Sequence, residues 1–258
     1  MQQEFLYSVP LWLIAIVLIG LFVGSAWGAH WWGRISRKKP NASAEAVTEI
    51  LPTSILGLLA LLLGFTFSMA INRYEDRKSL VMKEANALGT TYLRTQMLAP
   101  EQGRPLRELL KQYTQHRLVF FDVMKDAQKV TTFNSHSQDL LSQMWQLAVT
   151  VTQKDKSPIA GLFVSSLNDV IDLDTERVFA SKNHVPEIVY YIIILITLLG
   201  LTTLSFVIGY KGQRNSASLF LAVLFAFVII MIQDLDRPGR GLIQVGEQSL
   251  IDLSKSMN

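Results

Sequence analysis

Three charged groupings stand out in this sequence, and each poses a choice between chemistry and packing. Arg73, Glu75, Asp76 and Arg77 follow directly on a long uncharged stretch, and Asp234, Asp236, Arg237 and Arg240 follow another. Salt bridges between the two groups would lock helix ends into a collar. Ringed around an axis in an oligomer, the same side chains would select ions at a pore mouth, each multiplied by the number of subunits. The third grouping, Asp169, Asp172, Asp174 and Glu176, is divided between helix faces and reads as a solvated acidic surface, with divalent-cation binding as its alternative.

Enzyme chemistry finds no support. His30, His116, His136 and His184 stand far apart, without the HExxH spacing of a zinc site. No GxSxG elbow precedes a histidine and an acid in suitable context, and neither a P-loop nor a GxGxxG cradle is present. Cysteine is absent, which excludes disulfide frameworks, thiolate nucleophiles, iron–sulfur clusters and cysteine-ligated zinc together. No catalytic residue, metal or cofactor is therefore expected.

The elements that must position these groups are helices, and four of them are membrane spans. Half of the 258 residues are apolar, and they fall in blocks, so an ordinary soluble domain is excluded. The formal charge of +3 fits topology-setting residues beside membrane spans better than a nucleic-acid partner. The first span runs from Leu11 to about Trp31. Only Glu4 is charged in the segment before it, so the basic start of a cleaved signal peptide is missing and a retained helix is expected. Gly20, Gly24 and Gly28 recur every four residues, the small-residue spacing that lets helices pack closely in lipid.

After a basic connector with Arg34, Arg37, Lys38, Lys39 and Pro40, the second span starts near Leu51. Its 21 uncharged residues to Ile71 match a hydrocarbon core of about 30 Å. With no glycine or proline between Phe65 and Leu88, it passes into charged sequence as one long helix. Gly57, Ala60, Gly64 and Ser68 form a small face expected to pack against neighbours. Leu58, Leu62, Phe65, Met69 and Asn72 share another face, which either touches lipid and other helices or lines a pore. In the second case Leu62, Phe65 and Met69 form an apolar constriction that gates by dewetting, and Asn72, Arg73 and Asp76 form its mouth.

Residues 1–71 thus hold the first two spans, 72–184 an aqueous helical domain, 185–234 the last two spans, and 235–258 a polar tail. In the aqueous domain LAPEQGRP breaks the long helix through Pro100, Gly103 and Pro105. Further helices are predicted over about 106–128, 138–152 (N-capped by Asn134, Ser135 or Ser137) and from Ser157 to about Lys182. The third span is predicted from Pro186 to Ile208 and the fourth from Ala217 to Gln233, with Lys211 and Arg214 in the turn between them. From about Ser249 the tail is expected to be frayed or docked on the surface.

None of these spans carries a central charge, which would cost about 2.5 kcal/mol or more, and paired helix breaks are missing. Alternating-access transport is disfavoured, leaving a passive pore or a structural role. The connector cations place the connectors in the cytoplasm by the positive-inside rule. Arg73, Arg77, Lys78, Lys83, Arg237 and Arg240 argue for the opposite orientation.

The runs LGFTFSMAINRYEDRKSLVMKEANALGTTYLR, RVFASKNHVPEIVYYIIIL and IQDLDRPGRGLIQV resemble the bacterial bestrophin-like family of four-span proteins over about residues 50–245. The resemblance is carried by a Gly-Phe pair late in the second span, by Glu84, Ala85 and Asn86, and by Asp236, Arg237, Pro238 and Gly241. More distantly, Phe65, Phe67, Arg73 and Tyr74 resemble the neck of the bestrophins, homopentameric ion channels whose second helix surrounds the pore. The acidic run of the animal calcium clasp is absent, so calcium gating is not implied. The resemblance implies a bacterial inner-membrane location and a cytoplasmic helical domain. The expectation is an all-α integral membrane protein with a helical aqueous domain inserted between the second and third of its four transmembrane helices. It would be a homo-oligomeric channel, pentameric by resemblance, whose partners are ions and lipid. Asp234, Asp236 and Arg237 would anchor its helix ends. The competing expectation is a non-conducting sensor or scaffold whose helical domain binds a partner.

Overall fold

A computed structural model of the chain describes residues 7, 9–37, 42–124, 127–239 and 241–257, with the backbone alone for 42–49 and 127–128. Glu4, Lys38, Lys39, Pro40 and Arg240 lie outside the described residues. The chain divides into two compact units, one of Met1–Asn72 with His184–Arg237 and one of Arg73–Asn183 with Pro238–Asn258. Among the described residues all regular structure is helical.

The first unit contains α1 (Leu11–Ile35), the membrane-length part of α2 (Ala42–Thr95), α7 (Glu187–Tyr210) and α8 (Ser216–Leu235). Among the described residues, four helices are long and apolar enough to cross a membrane. Helix α1 packs on α7 and α8. The glycines responsible for close approach are not the predicted ones. A Cβ at Gly20, Gly24 or Gly28 would meet no atom within 4 Å, whereas one at Gly33 would strike the Phe206 carbonyl and one at Gly209 the His30 carbonyl. The α1–α7 crossing therefore rests on Gly33 and Gly209, where the backbones touch. Gly200 plays a milder part against Leu56, whose Cδ2 lies 3.0 Å from the Cβ position. Helix α2 begins earlier than the sequence suggests: it is helical from Ala42 and continues through Pro52. One lost backbone hydrogen bond does not end a helix whose other bonds remain.

The second unit contains the aqueous part of α2, α3 (Pro100–Arg117), the single turn α4 (Phe120–Val123), α5 (Ala127–Lys154), α6 (Pro158–Lys182) and α9 (Gln248–Ser256). The predicted break is confined to residues 96–99. Pro100 occupies the first turn of α3, where its missing N–H is no loss. Gly103 lies inside that helix because a Cβ would collide with the Thr95 carbonyl. Helix α5 starts at Ala127, well before the expected caps Asn134, Ser135 and Ser137, and Ser137 is buried in its interior. The core joins Leu88, Leu106, Leu110, Met144, Phe163 and Leu167, each fully buried and contributing roughly 1.5–3 kcal/mol of burial. The tail is docked: Leu250 and Met257 are buried in the same core, and Tyr92 Oη donates to the Met257 carbonyl at 3.1 Å.

Candidate functional site

The 3.6-residue period sorts α2 into two stripes. Leu59, Leu63, Thr66 and Ala70 are buried in the first unit, and the same stripe continues as Arg77, Glu84 and Leu88, buried in the second. On the opposite side Leu58, Leu61, Phe65, Met69, Asn72 and Asp76 are exposed, Phe65 at 61% and Met69 at 38%. Of the predicted pore residues, Phe65, Met69, Asn72 and Asp76 thus share one open face. Leu62 and Arg73 lie on its flank and are partly buried. On the other flank Gly57, Gly64 and Ser68 are exposed, and a Cβ at either glycine would meet nothing within 4 Å. The small face expected to pack against neighbours finds none at Gly57 or Gly64 among the described residues.

Asp234, Asp236 and Arg237, at the end of α8, are all buried. Asp236 Oδ2 accepts from the Val185 N–H at 2.7 Å and also from the Tyr7 hydroxyl. The Asp236 carbonyl accepts from His184 Nδ1 at 2.9 Å, which fixes the proton on that nitrogen. Arg237 Nη1 donates to the Val9 carbonyl at 2.8 Å, and its guanidinium lies over the Tyr7 ring, itself stacked on His184. Burial, Tyr190 and Asp236 together hold the Tyr7 hydroxyl protonated well above its ordinary range. These bonds tie the segment before α1, the start of α7 and the end of α8 to one another.

Arg77, read from sequence as part of a salt-bridged collar, is buried and donates to the carbonyls of Ala180 and Asn183, both at 3.1 Å. It thereby supplies donors to the C-terminal end of α6. Glu75 and Asp76 remain exposed.

The acidic run on α6 is not uniformly solvated. Asp169, Asp172 and Glu176 are exposed, but Asp174 is 2% exposed and belongs to a buried ionic cluster. Arg117 reaches Glu84 at 2.8 Å and Asp174 at 2.9 Å, and Arg177 pairs with Glu84. Gln138 donates to Asp174 at 3.0 Å, and the Tyr113 hydroxyl lies 3.0 Å from Asp174 and 3.2 Å from Glu84. Burial drives the Tyr113 pKa well up, so its proton stays available to these carboxylates. Both guanidinium groups meet the Phe120 ring, Arg117 at 4.6 Å and Arg177 at 4.7 Å from its centroid. Glu247, just before α9, meets Arg177 at 3.6 Å. Burial pushes its carboxyl up to about 7 despite the opposing pull of Arg177 and Arg117.

In the helix predicted over about 106–128, Tyr113 and Arg117 stand at helical spacing with Leu106 and Leu110, but nothing singled out Arg177 and Glu247. Nothing in local spacing links Glu247 to a helix some 70 residues earlier. The histidines do not form a metal set. His116 and His136 have rings 4.7 Å apart, and His116 stacks on Phe133 and bonds its carbonyl, with burial lowering its pKa. No metal-ligating group of three His, Asp or Glu occurs among the described residues.

The fold is similar to solved structures of a bacterial bestrophin homolog from Klebsiella pneumoniae. A tyrosine-to-alanine variant of that protein shares 14% identity at a TM-score of 0.62, over 93% of this chain and 98% of that one. A leucine-to-threonine variant shares 12% at 0.59, over 96% and 97%. A third structure of the same homolog, phased with zinc, shares 12% at 0.57, over 94% and 98%. No curated protein matches the chain. The family model of the bestrophin-like domain matches residues 20–250, and this membrane protein therefore belongs to the bestrophin-like family.

Proposed function

We propose that several copies of this chain assemble around a common axis as an ion channel in the bacterial inner membrane, with the open stripe of α2 along the conduction path. The observation that carries this reading is the stripe itself. It is uncharged from Leu58 to Met69 and exposed throughout, and it turns polar at Asn72 and Asp76 without leaving the face. Leu62, Phe65 and Met69 form the constriction, which closes by excluding water, and Asn72, Arg73 and Asp76 set the charge at the mouth. Asp234, Asp236 and Arg237 anchor the helix ends so that the stripe keeps its orientation. Pentameric assembly follows the bestrophins. The purified protein in planar bilayers should give unitary currents, and Phe65→Ala should widen the constriction and raise conductance. Silent bilayers across voltage and tension would contradict the proposal.

A second reading is favoured by one surface of the helical unit. A groove of about 700 Å³ between α2 and α6 is lined by Asp76, Lys83, Glu176 and Lys182, with Phe179 72% exposed beside them. Such a surface suits a protein partner and would make the chain a non-conducting scaffold. Phe179→Ala abolishing association with a partner, in a protein that carries no current, would favour this reading.

A further inference from the structure

Exposed tryptophans gather toward the end of α1. Trp27 and Trp31 lie four residues apart on one face, which ends at Arg34 one turn later, and Trp32 stands beside them, edge-on to Phe206 at 5.7 Å. All three tryptophans are more than 60% exposed, the arrangement of an aromatic belt at headgroup depth.

The two basic connectors converge at this belt. Asn215 Nδ2 donates to the Ala26 carbonyl at 3.2 Å, which holds the α7–α8 turn against α1. The Arg37 guanidinium packs onto Gly212, whose φ of 72° suits that turn, so closely that a Cβ there would lie 2.6 Å from Nη1. Arg34, Arg37, Lys211 and Arg214 thereby lie at the same end of the first unit, with Arg34, Arg37 and Arg214 exposed. No Asp or Glu occurs in residues 26–37 or 206–220, and the nearest acidic residues in sequence are Glu45 and Glu49, beyond the connector. Orientation in the membrane requires only a number of cations in the loops and no convergence. Arg34 alone would suffice to complement the C-terminal dipole of α1.

We infer that this end of the first unit is a binding site for the phosphate headgroup of an anionic phospholipid, gripped by Arg34, Arg37 and Arg214 with the acyl chains along the Trp27–Trp31 face. Guanidinium forks match phosphate oxygens in pairs, and the neighbouring tryptophans hold the cations at the depth where those oxygens lie. The site is independent of whether the protein conducts.

The test is native mass spectrometry of the full chain in neutral detergent, titrated with phosphatidylglycerol, phosphatidylcholine or inorganic phosphate. Phosphatidylglycerol should stay bound at collision energies that strip phosphatidylcholine, and added salt should weaken its retention. The triple variant Arg34→Gln/Arg37→Gln/Arg214→Gln should lower retention on the order of a hundredfold, the product of three surface cations. The lysine triple variant at the same positions keeps the charge but not the forks, and its retention should fall between the unaltered protein and the glutamine variant. Equal retention of the two lipids, salt-insensitive retention by the unaltered protein, or an unaffected glutamine variant would overturn the inference. So would displacement of the lipid by inorganic phosphate alone, which would make the site one for a free anion.

Discussion

Glu84 is the side chain on which the helical unit depends most. It sits between Arg117 and Arg177 and is fully buried, so removing its charge leaves Arg117 with Asp174 alone and Arg177 with the more distant Glu247 alone in the interior. Breaking a buried pair from one side costs about 3–5 kcal/mol, and Glu84→Gln should lower the melting temperature accordingly. Tyr113→Phe removes the hydroxyl that Asp174 and Glu84 share and should cost about 1.5–3 kcal/mol in the same assay. Glu247 gives the unit a pH dependence of definite sign. Its carboxyl holds a proton up to about 7 in the folded chain but only to its ordinary 4.5 when unfolded. Over that interval the folded state binds more protons, so the contribution is complete below 4.5 and is lost as pH rises through 7. Glu247→Gln should remove this loss, flattening the decline in melting temperature between pH 5 and 8. An unchanged slope would place the titration elsewhere.

At the scale of elements, contact between backbones decides what can be changed. Gly209→Val drives a side chain into the His30 carbonyl and should destabilise the α1–α7 crossing by about 1–3 kcal/mol or more, whereas Gly24→Ala meets open space and should leave the isolated subunit unchanged. Thermal melting of the two variants separates them. Removing α9 uncovers the surface that Leu250 and Met257 bury, and truncation after Val245 should make α2 and α3 susceptible to limited proteolysis. The four spans were legible in the sequence because an uncharged apolar stretch of membrane length has few other uses. The helical unit was less legible. Pro100, Gly103 and Pro105 look like breakers, yet all three lie within α3, Pro100 in its first turn, where its missing N–H is no loss. Asn134, Ser135 and Ser137 have the chemistry of caps, but tertiary packing carried α5 past them. The clustered glycines of α1 carried the right spacing, and Gly33, which makes the contact, was hidden because Phe206, whose carbonyl it meets, lies in another helix.

For the whole molecule, the central proposal concerns which side of α2 faces water. Leu59, Leu63, Thr66 and Ala70 are committed to the subunit's own interior, which leaves the Leu58–Asp76 stripe for an axis, for lipid or for a partner. Small residues beside that stripe allow neighbouring helices close approach, and repetition around an axis would turn one Asp76 and one Arg73 into rings of charge. The chain has no cysteine, so single cysteines can be read without background. The decisive measurement is the effect of a charged, membrane-impermeant thiol reagent on bilayer currents through Leu61→Cys, Phe65→Cys, Met69→Cys and Leu63→Cys. Modification that alters current at 61, 65 and 69 but leaves 63 untouched is the predicted result. Currents unaffected at 65 and 69 would contradict a conduction path along this face.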